Sequence, residues 1–235
     1  KPKEPIPKYA QRFVSLDYGL DMTAAYWYWI DRRGRARIYR EIAEGTDFGP
    51  GHSGWIASDA AEKIKEAQGY GTDHAYLVPP DLIHQRRNDT GNTISDIFAK
   101  HGIYLTETSN RHTSGWVCVK ELLKPIKEQD EQTGEEINTA ILTIDEGVAP
   151  NLKASFLNVQ RNKNNPNDIE GKGVAHKLTH FVDSLRCFAV YWITPSGEPT
   201  EERRAKWSSD MYEDYNCRTQ EGRDYLLGKW GNPFV

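Results

Sequence analysis

An apolar run that closes on an acid and then a glycine, Phe13-Val14-Ser15-Leu16-Asp17-Tyr18-Gly19, sets the terms for everything downstream. Its pattern predicts a strand whose last side chains are delivered to one sheet edge. Two later runs repeat the idea. Leu77-Val78-Pro79-Pro80-Asp81 is a second apolar stretch ending on aspartate, and His180-Phe181-Val182-Asp183 sets a third acid on a predicted helix. Three carboxylates drawn from distant points of a chain are suited to a hard divalent cation. Such a site, with coordination positions left open, supports phosphodiester cleavage.

The rest of the chain supplies a sheet to carry these acids. Thr23–Ile30 is rich in aromatics and reads as a second strand. Asp31–Arg35 is a turn and Ala36–Ile42 a third strand, which makes an antiparallel meander. A helix follows, capped by Ser58 or Asp59, carrying Ala60, Ile64 and Ala67, and ended by Gly69 and Gly71. His74–Val78 is the fourth strand, stopped by Pro79-Pro80. A helix capped by Asn92 or Thr93 and closed by His101-Gly102 leads to a short strand, Ile103–Thr106. Residues 112–124 form a helix, 127–136 a polar hairpin tip or loop, and Ala140–Ile144 a strand. Pro150 opens another helix, 161–173 is a loop, and Val174–Trp192 is a long helix. This order predicts an α/β fold: a mixed central sheet with helices on both faces, in the sequence of the ribonuclease H-like fold. The predicted domain is 12–194. Residues 1–11, rich in Pro and Lys, read as a linker remnant, and 195–235 as a polar tail with weak patterning. Trp27, Trp29, Trp116 and Trp192 are expected in the core.

Composition narrows the function. The chain has 235 residues and is 37% hydrophobic. No stretch approaches the roughly 20 apolar residues of a membrane span, so no membrane partner is expected. The three cysteines, Cys118, Cys187 and Cys217, lack CxxC spacing, which disfavours zinc and fits a reducing compartment. A net charge of -4 argues against a dedicated high-affinity nucleic-acid binder, though not against a nuclease whose acids offset basic patches.

Within the candidate site, Asp17 and Asp81 fall at strand ends, where open α/β sheets place ligands. Asp183 lies in an apolar helix, where a carboxylate needs a partner. His176, His180 and Asp183 are spaced four and three apart, so they share one helix face. His180 is placed to orient a water or a ligand, or to shuttle a proton. Each residue also has a plainer role: turn former for Asp17, helix cap for Asp81, structural histidine for His180 and His176. Asp21, four after Asp17, reads as a solvated loop acid, with an outer-shell metal ligand as the alternative.

Three groups of residues resemble the nuclease domain of the large terminase subunit of tailed bacteriophages. Ser15-Leu16-Asp17-Tyr18-Gly19 with Ala24-Ala25 resembles its first acidic motif. Val78-Pro79-Pro80-Asp81, Gly91-Asn92-Thr93-Ile94 and His101-Gly102-Ile103 resemble the second, with Leu82 as a departure after the acid. Pro150-Asn151-Leu152, Gln160, Asn165–Asp168 and His180–Arg186 resemble the third. The resemblance covers residues 12–192. It implies a ribonuclease H-like, metal-dependent endonuclease that cuts concatemeric double-stranded DNA during packaging. It implies Asp17, Asp81 and Asp183 as ligands of two Mg2+ or Mn2+ ions, with His180 in the catalytic set. It also implies a virus-encoded protein working in the host cell cytoplasm, with a terminase ATPase domain, the portal and the small terminase subunit as partners. The sequence contains no GxxxxGK[ST] motif, so ATP hydrolysis is not expected of it.

For DNA contacts, Arg32, Arg33 and Arg35 on one predicted hairpin, and Lys172 and Lys177 farther on, are candidates for phosphate binding. A solvated charged surface is the plainer account of them. Two other functional classes stay open: a resolvase- or transposase-type nuclease of the same fold, and a non-catalytic portal-docking module.

Overall fold

A computed structural model describes residues 5–8, 10–68, 74–84, 91–109, 112–130, 133–165, 168–170, 176–193 and 207–230. The chain divides into two units, Lys1–Ile193 and Thr194–Val235. The first holds the sheet. Strands β1 (Arg12–Tyr18), β2 (Met22–Ile30) and β3 (Ala36–Gly45) form the antiparallel meander expected from the sequence. Helix α1 (Ala57–Gln68) leads to β4 (Ala75–Val78), the short α2 (Pro80–His84), α3 (Ile94–Lys100) and β5 (Leu105–Glu107). Then come α4 (His112–Leu123), a hairpin of β6 (Ile126–Gln129) and β7 (Glu136–Thr139), β8 (Leu142–Ile144), α5 (Pro150–Asn158) and α6 (His176–Ile193).

Six strands make one sheet in the order β5-β4-β1-β2-β3-β8. Strand β1 runs parallel to β4, and β4 to β5, while β3 runs parallel to β8. Only β2 runs against its neighbours. The carboxyl ends of the five other strands therefore share one edge, where ligands of open α/β sheets gather.

Helices cover both faces. Trp116, Leu122, Leu152, Leu185 and Phe188, from α4, α5 and α6, pack against Tyr26, Tyr28 and Ile38 on one side. Ala60, Ile64 and Phe98, from α1 and α3, pack against Val14, Leu16 and Trp27 on the other. Being covered twice explains why β2 reads as Ala-Ala-Tyr-Trp-Tyr-Trp-Ile rather than alternating; all nine of its residues are buried. The four tryptophans expected in the core belong to these two clusters.

Helix α6 is locked to the sheet by more than apolar contact. Tyr28 stacks on Phe188 with ring centroids 3.9 Å apart. The hydroxyl of Ser15 sits between those of Tyr28 (2.8 Å) and Ser184 (3.0 Å), all buried. Buried hydroxyls must be paired, so this chain of three fixes how α6 is rotated over β1. Local capping is as direct. Thr93 and Asp96 form a reciprocal capping box at the start of α3, which makes Thr93 rather than Asn92 the cap.

Several sequence expectations shift. Strand β3 runs on to Gly45, because its pairing with β2 continues to Met22. Of the two readings of 127–136, hairpin tip or loop, the structure has the hairpin: β6 and β7 pair antiparallel, with Lys127 joined to Glu136. The expected fifth strand begins two residues later, at Leu105. Gly69 and Gly71 lie outside the described residues. In the second unit the tail holds two helices, α7 (Ser209–Asn216) and α8 (Gln220–Trp230). The Ser208 hydroxyl caps α7, and Trp207 is buried against Tyr212 and Tyr215.

Candidate metal centre

The carboxyl edge gathers acids and imidazoles. Asp17 is the penultimate residue of β1. On a two-residue repeat it shares a face with Phe13 and Ser15, which meet α6. Across 163 residues of sequence, the His180 Nδ1–H donates to Asp17 Oδ2 at 2.7 Å. Asp183 stands three residues farther along α6, beside the anchored Ser184. It accepts from Arg186 Nε at 3.0 Å. That guanidinium is itself buried, and its stem passes Gly115 of α4, where a Cβ would come within 2.8 Å of it. Arg186 is the partner that the helix-borne carboxylate required. An Asp followed three residues later by Arg on a helix was the available signal for it.

Burial pushes the His180 imidazole toward its neutral form. The hydrogen bond to Asp17 and the charges of Asp17, Asp21 and Asp183 outweigh that, so its pKa is raised above the ordinary 6.5. Three carboxylates thus act on one ring. Cys187, four residues past Asp183, is fully buried, and burial lifts its thiol to about 12, which disfavours the thiolate.

Asp21 occupies the turn between β1 and β2, and that turn is tightly held. A Cβ on Gly19 would fall 2.7 Å from Asp21 Oδ1. The Thr46 N–H donates to the Asp21 carbonyl at 2.9 Å. Side chains at Gly45 and Gly54 would come within 2.2 Å of the Asp21 carbonyl and 1.6 Å of the Leu20 carbonyl. The result aims Asp21 Oδ2 at two histidines, 3.6 Å from His180 Nε2 and 3.5 Å from His176 Nδ1. Among the described residues, Asp21, His176 and His180 are the one trio whose ligand atoms all lie within 4.8 Å of each other. The His180 Nε2 is buried and makes no hydrogen bond. Sequence reading had the parts, an acid four past Asp17 and two histidines four apart, but no signal that the turn would face the helix.

Asp81 takes a different position. It lies in the exposed first turn of α2, just beyond β4, the strand that pairs beside β1. The ligand atoms of Asp17, Asp81 and Asp183 do not all fall within 4.8 Å of one another. Ligands of a single Mg2+ sit about 2.1 Å from it, hence at most about 4.2 Å apart, so this spread is too wide for one ion held by all three.

The candidate DNA-contact arginines are far off. The turn carrying them follows Ile30, and Trp29 pairs with Arg12, five residues before Asp17. That is about 17 Å along β1 at 3.3–3.4 Å per residue. Arg33 and Arg35 both donate through Nη1 to Glu128 Oε2, at 2.9 and 2.6 Å, and Arg35 Nε to Asp31 at 2.7 Å. Arg32 is exposed. Lys172 and the side chain of Lys177 lie outside the described residues.

No protein-family model matches this sequence, and no curated relative matches it. Solved structures are similar to it. The nuclease domain of the large terminase of phage P22 superposes with a TM-score of 0.55 at 16% identity, over 81% of this chain and 85% of that one. The large terminase nuclease domain of bacteriophage SPP1 with bound Mn gives 0.46 at 17%, over 78% and 86%. The large terminase of bacteriophage HK97 gives 0.48 at 15%, over 81% of this chain and 40% of its own length. The fold is the ribonuclease H-like mixed sheet of the P22 domain.

Proposed function

We propose that this chain is a metal-dependent endonuclease that cuts double-stranded DNA within a viral genome-packaging terminase. One observation carries the reading. The carboxyl edge of a nuclease-type sheet brings Asp17 of β1 against His180 of α6, with Asp183 on the same helix. Gathering like charges in this way costs stability unless a cation offsets them. The donor set suits one: the carboxylate oxygens of Asp17 and Asp183 are ligands for a hard ion.

Asp17, Asp81 and Asp183 would hold Mg2+ or Mn2+, and the spread of the three favours two ions over one. Metal held at that edge would supply a nucleophilic water and stabilisation of the leaving 3′ oxygen. The chain's own residues do the positioning. Asp17 engages His180 through Oδ2, which leaves Oδ1 directed elsewhere. Arg186 fixes the orientation of Asp183. His180 is anchored to Asp17 through Nδ1 and is placed to orient a ligand or water through Nε2. The terminase setting, with its ATPase domain, portal and small subunit in the host cytoplasm, follows from the resemblance of the three motifs.

Plasmid cleavage tests this. Mn2+ and Mg2+ should support cutting, EDTA should abolish it, and Asp17→Asn and Asp183→Asn should each abolish it too. Cutting that persists in EDTA, or variants as active as the parent, would overturn the reading.

A further inference from the structure

We propose that Asp21, His176 and His180 form a cation position of their own, selective for a transition ion such as Mn2+, Co2+ or Zn2+, alongside the carboxylates of Asp17 and Asp183. Three observations carry it. The first is metric. A tetrahedral ion with ligands at about 2.0–2.2 Å has them roughly 3.4 Å apart. Asp21 Oδ2 lies 3.5 Å from His176 Nδ1 and 3.6 Å from His180 Nε2, and all three atoms fall within 4.8 Å.

The second is the state of His180. Its Nε2 is buried without a hydrogen bond and faces the gap. Its other nitrogen is committed to Asp17 at 2.7 Å. A carboxylate that orients an imidazole through one nitrogen, with the second nitrogen turned to a cavity, is the usual support for a histidine ligand. The third is how the pieces are held. The two histidines sit four apart on one face of α6, with ring centroids 4.8 Å apart. Asp21 is fixed by the Thr46 hydrogen bond and by glycines at 19, 45 and 54 that leave no room for a side chain.

The donor set decides the ion. Two imidazole nitrogens and one carboxylate suit Mn2+, Co2+ and Zn2+, whereas Mg2+ favours all-oxygen surroundings. Asp21 and His176 are each nearly half exposed, so remaining coordination positions open to solvent. Asp17 touches both positions: it supports His180 and supplies a carboxylate to the other. Any effect on cleavage rests on the nuclease reading; binding at Asp21, His176 and His180 does not.

The experiment is a Co2+ titration of the metal-free full chain, read by visible absorption and by paramagnetic broadening of the His176 and His180 ring resonances. Co2+ should broaden both rings in the parent and in Asp183→Asn. Affinity should fall at least about tenfold in Asp21→Asn and in His176→Ala, and between 10- and 100-fold in Asp17→Asn. Millimolar Mg2+ should not displace it, whereas Zn2+ should. No broadening of the two rings, unchanged affinity in His176→Ala, or displacement by Mg2+ overturns the proposal. Asp21 and His176, the residues substituted within the trio, are each nearly half exposed, so the fold is retained in those variants. A parent that binds Co2+ as described yet never cuts DNA would sink the nuclease reading and leave this one standing. Cleavage without such binding would do the reverse.

Discussion

The two ends of the central sheet are both charged, and they handle charge in opposite ways. Around the β2–β3 turn, opposite signs are matched: Arg33 and Arg35 share Glu128, Arg35 also takes Asp31, and Arg37 lies 3.6 Å from Asp145. At the other end, Asp17, Asp21 and Asp183 converge on one imidazole, and an arginine, Arg186, pairs with Asp183. Matched pairs near solvent contribute little, about 0–1 kcal/mol each, and their geometry is complete without help. Converging like charges are a cost that a bound cation would offset. The comparison separates scaffolding charge from functional charge where a count of acidic and basic residues does not.

The largest effect that could break this contrast is on cleavage. Asp183→Asn should reduce plasmid cutting at least about 100-fold, because ion-mediated stabilisation of the transition state is worth several kcal/mol. Arg35→Ala should leave it within about twofold. Equal losses in the two would erase the distinction between the ends. Next comes the turn that presents Asp21. Gly54→Ala places a methyl 1.6 Å from the Leu20 carbonyl. It should cost about 1–3 kcal/mol in urea unfolding, as overpacking does, and weaken transition-ion binding with it.

A third test concerns His180 in the metal-free protein. Its ring should titrate by NMR above 6.5, and Asp17→Asn should bring the midpoint down, since burial then acts with less opposition. The sign for stability follows. A histidine whose folded pKa is raised contributes most below its unfolded value near 6.5, and that contribution fades as pH rises through the folded value. Apparent stability of the metal-free protein should therefore decline from about pH 6.5 upward, less so in Asp17→Asn. The smallest effect belongs to the matched end. Glu128→Gln should shift stability by under about 1 kcal/mol, with no change in cutting; a large loss would mean that the hairpin's ion pairs organise more than themselves.

How much of this was readable in the sequence depended on range. The strands and α6 were legible because long periodic runs dominate their pairing, and Asp17, His180 and Asp183 rode on those elements. Asp81 was legible as an acid after a strand and as a residue at a helix start, but not that it would face solvent. Glu128 was not readable as the partner of Arg33 and Arg35, since the contact spans 93 to 95 residues and either charge alone looks solvated. Asp21 was undervalued for a related reason: a turn acid is ordinarily a turn former, and here distant glycines at 45 and 54 decide where it points. Helices α7 and α8 stayed hidden because both are short and polar, with Trp207 as a buried anchor for the first.

The hydroxyl relay from Tyr28 through Ser15 to Ser184 has a bearing on control. If α6 were to slide or roll on the sheet, buried donors and acceptors would lose their mates, at about 1–3 kcal/mol for each group stranded. The long helix is thus a poor moving part. For His180 and Asp183, which it carries, α6 is a fixed anvil.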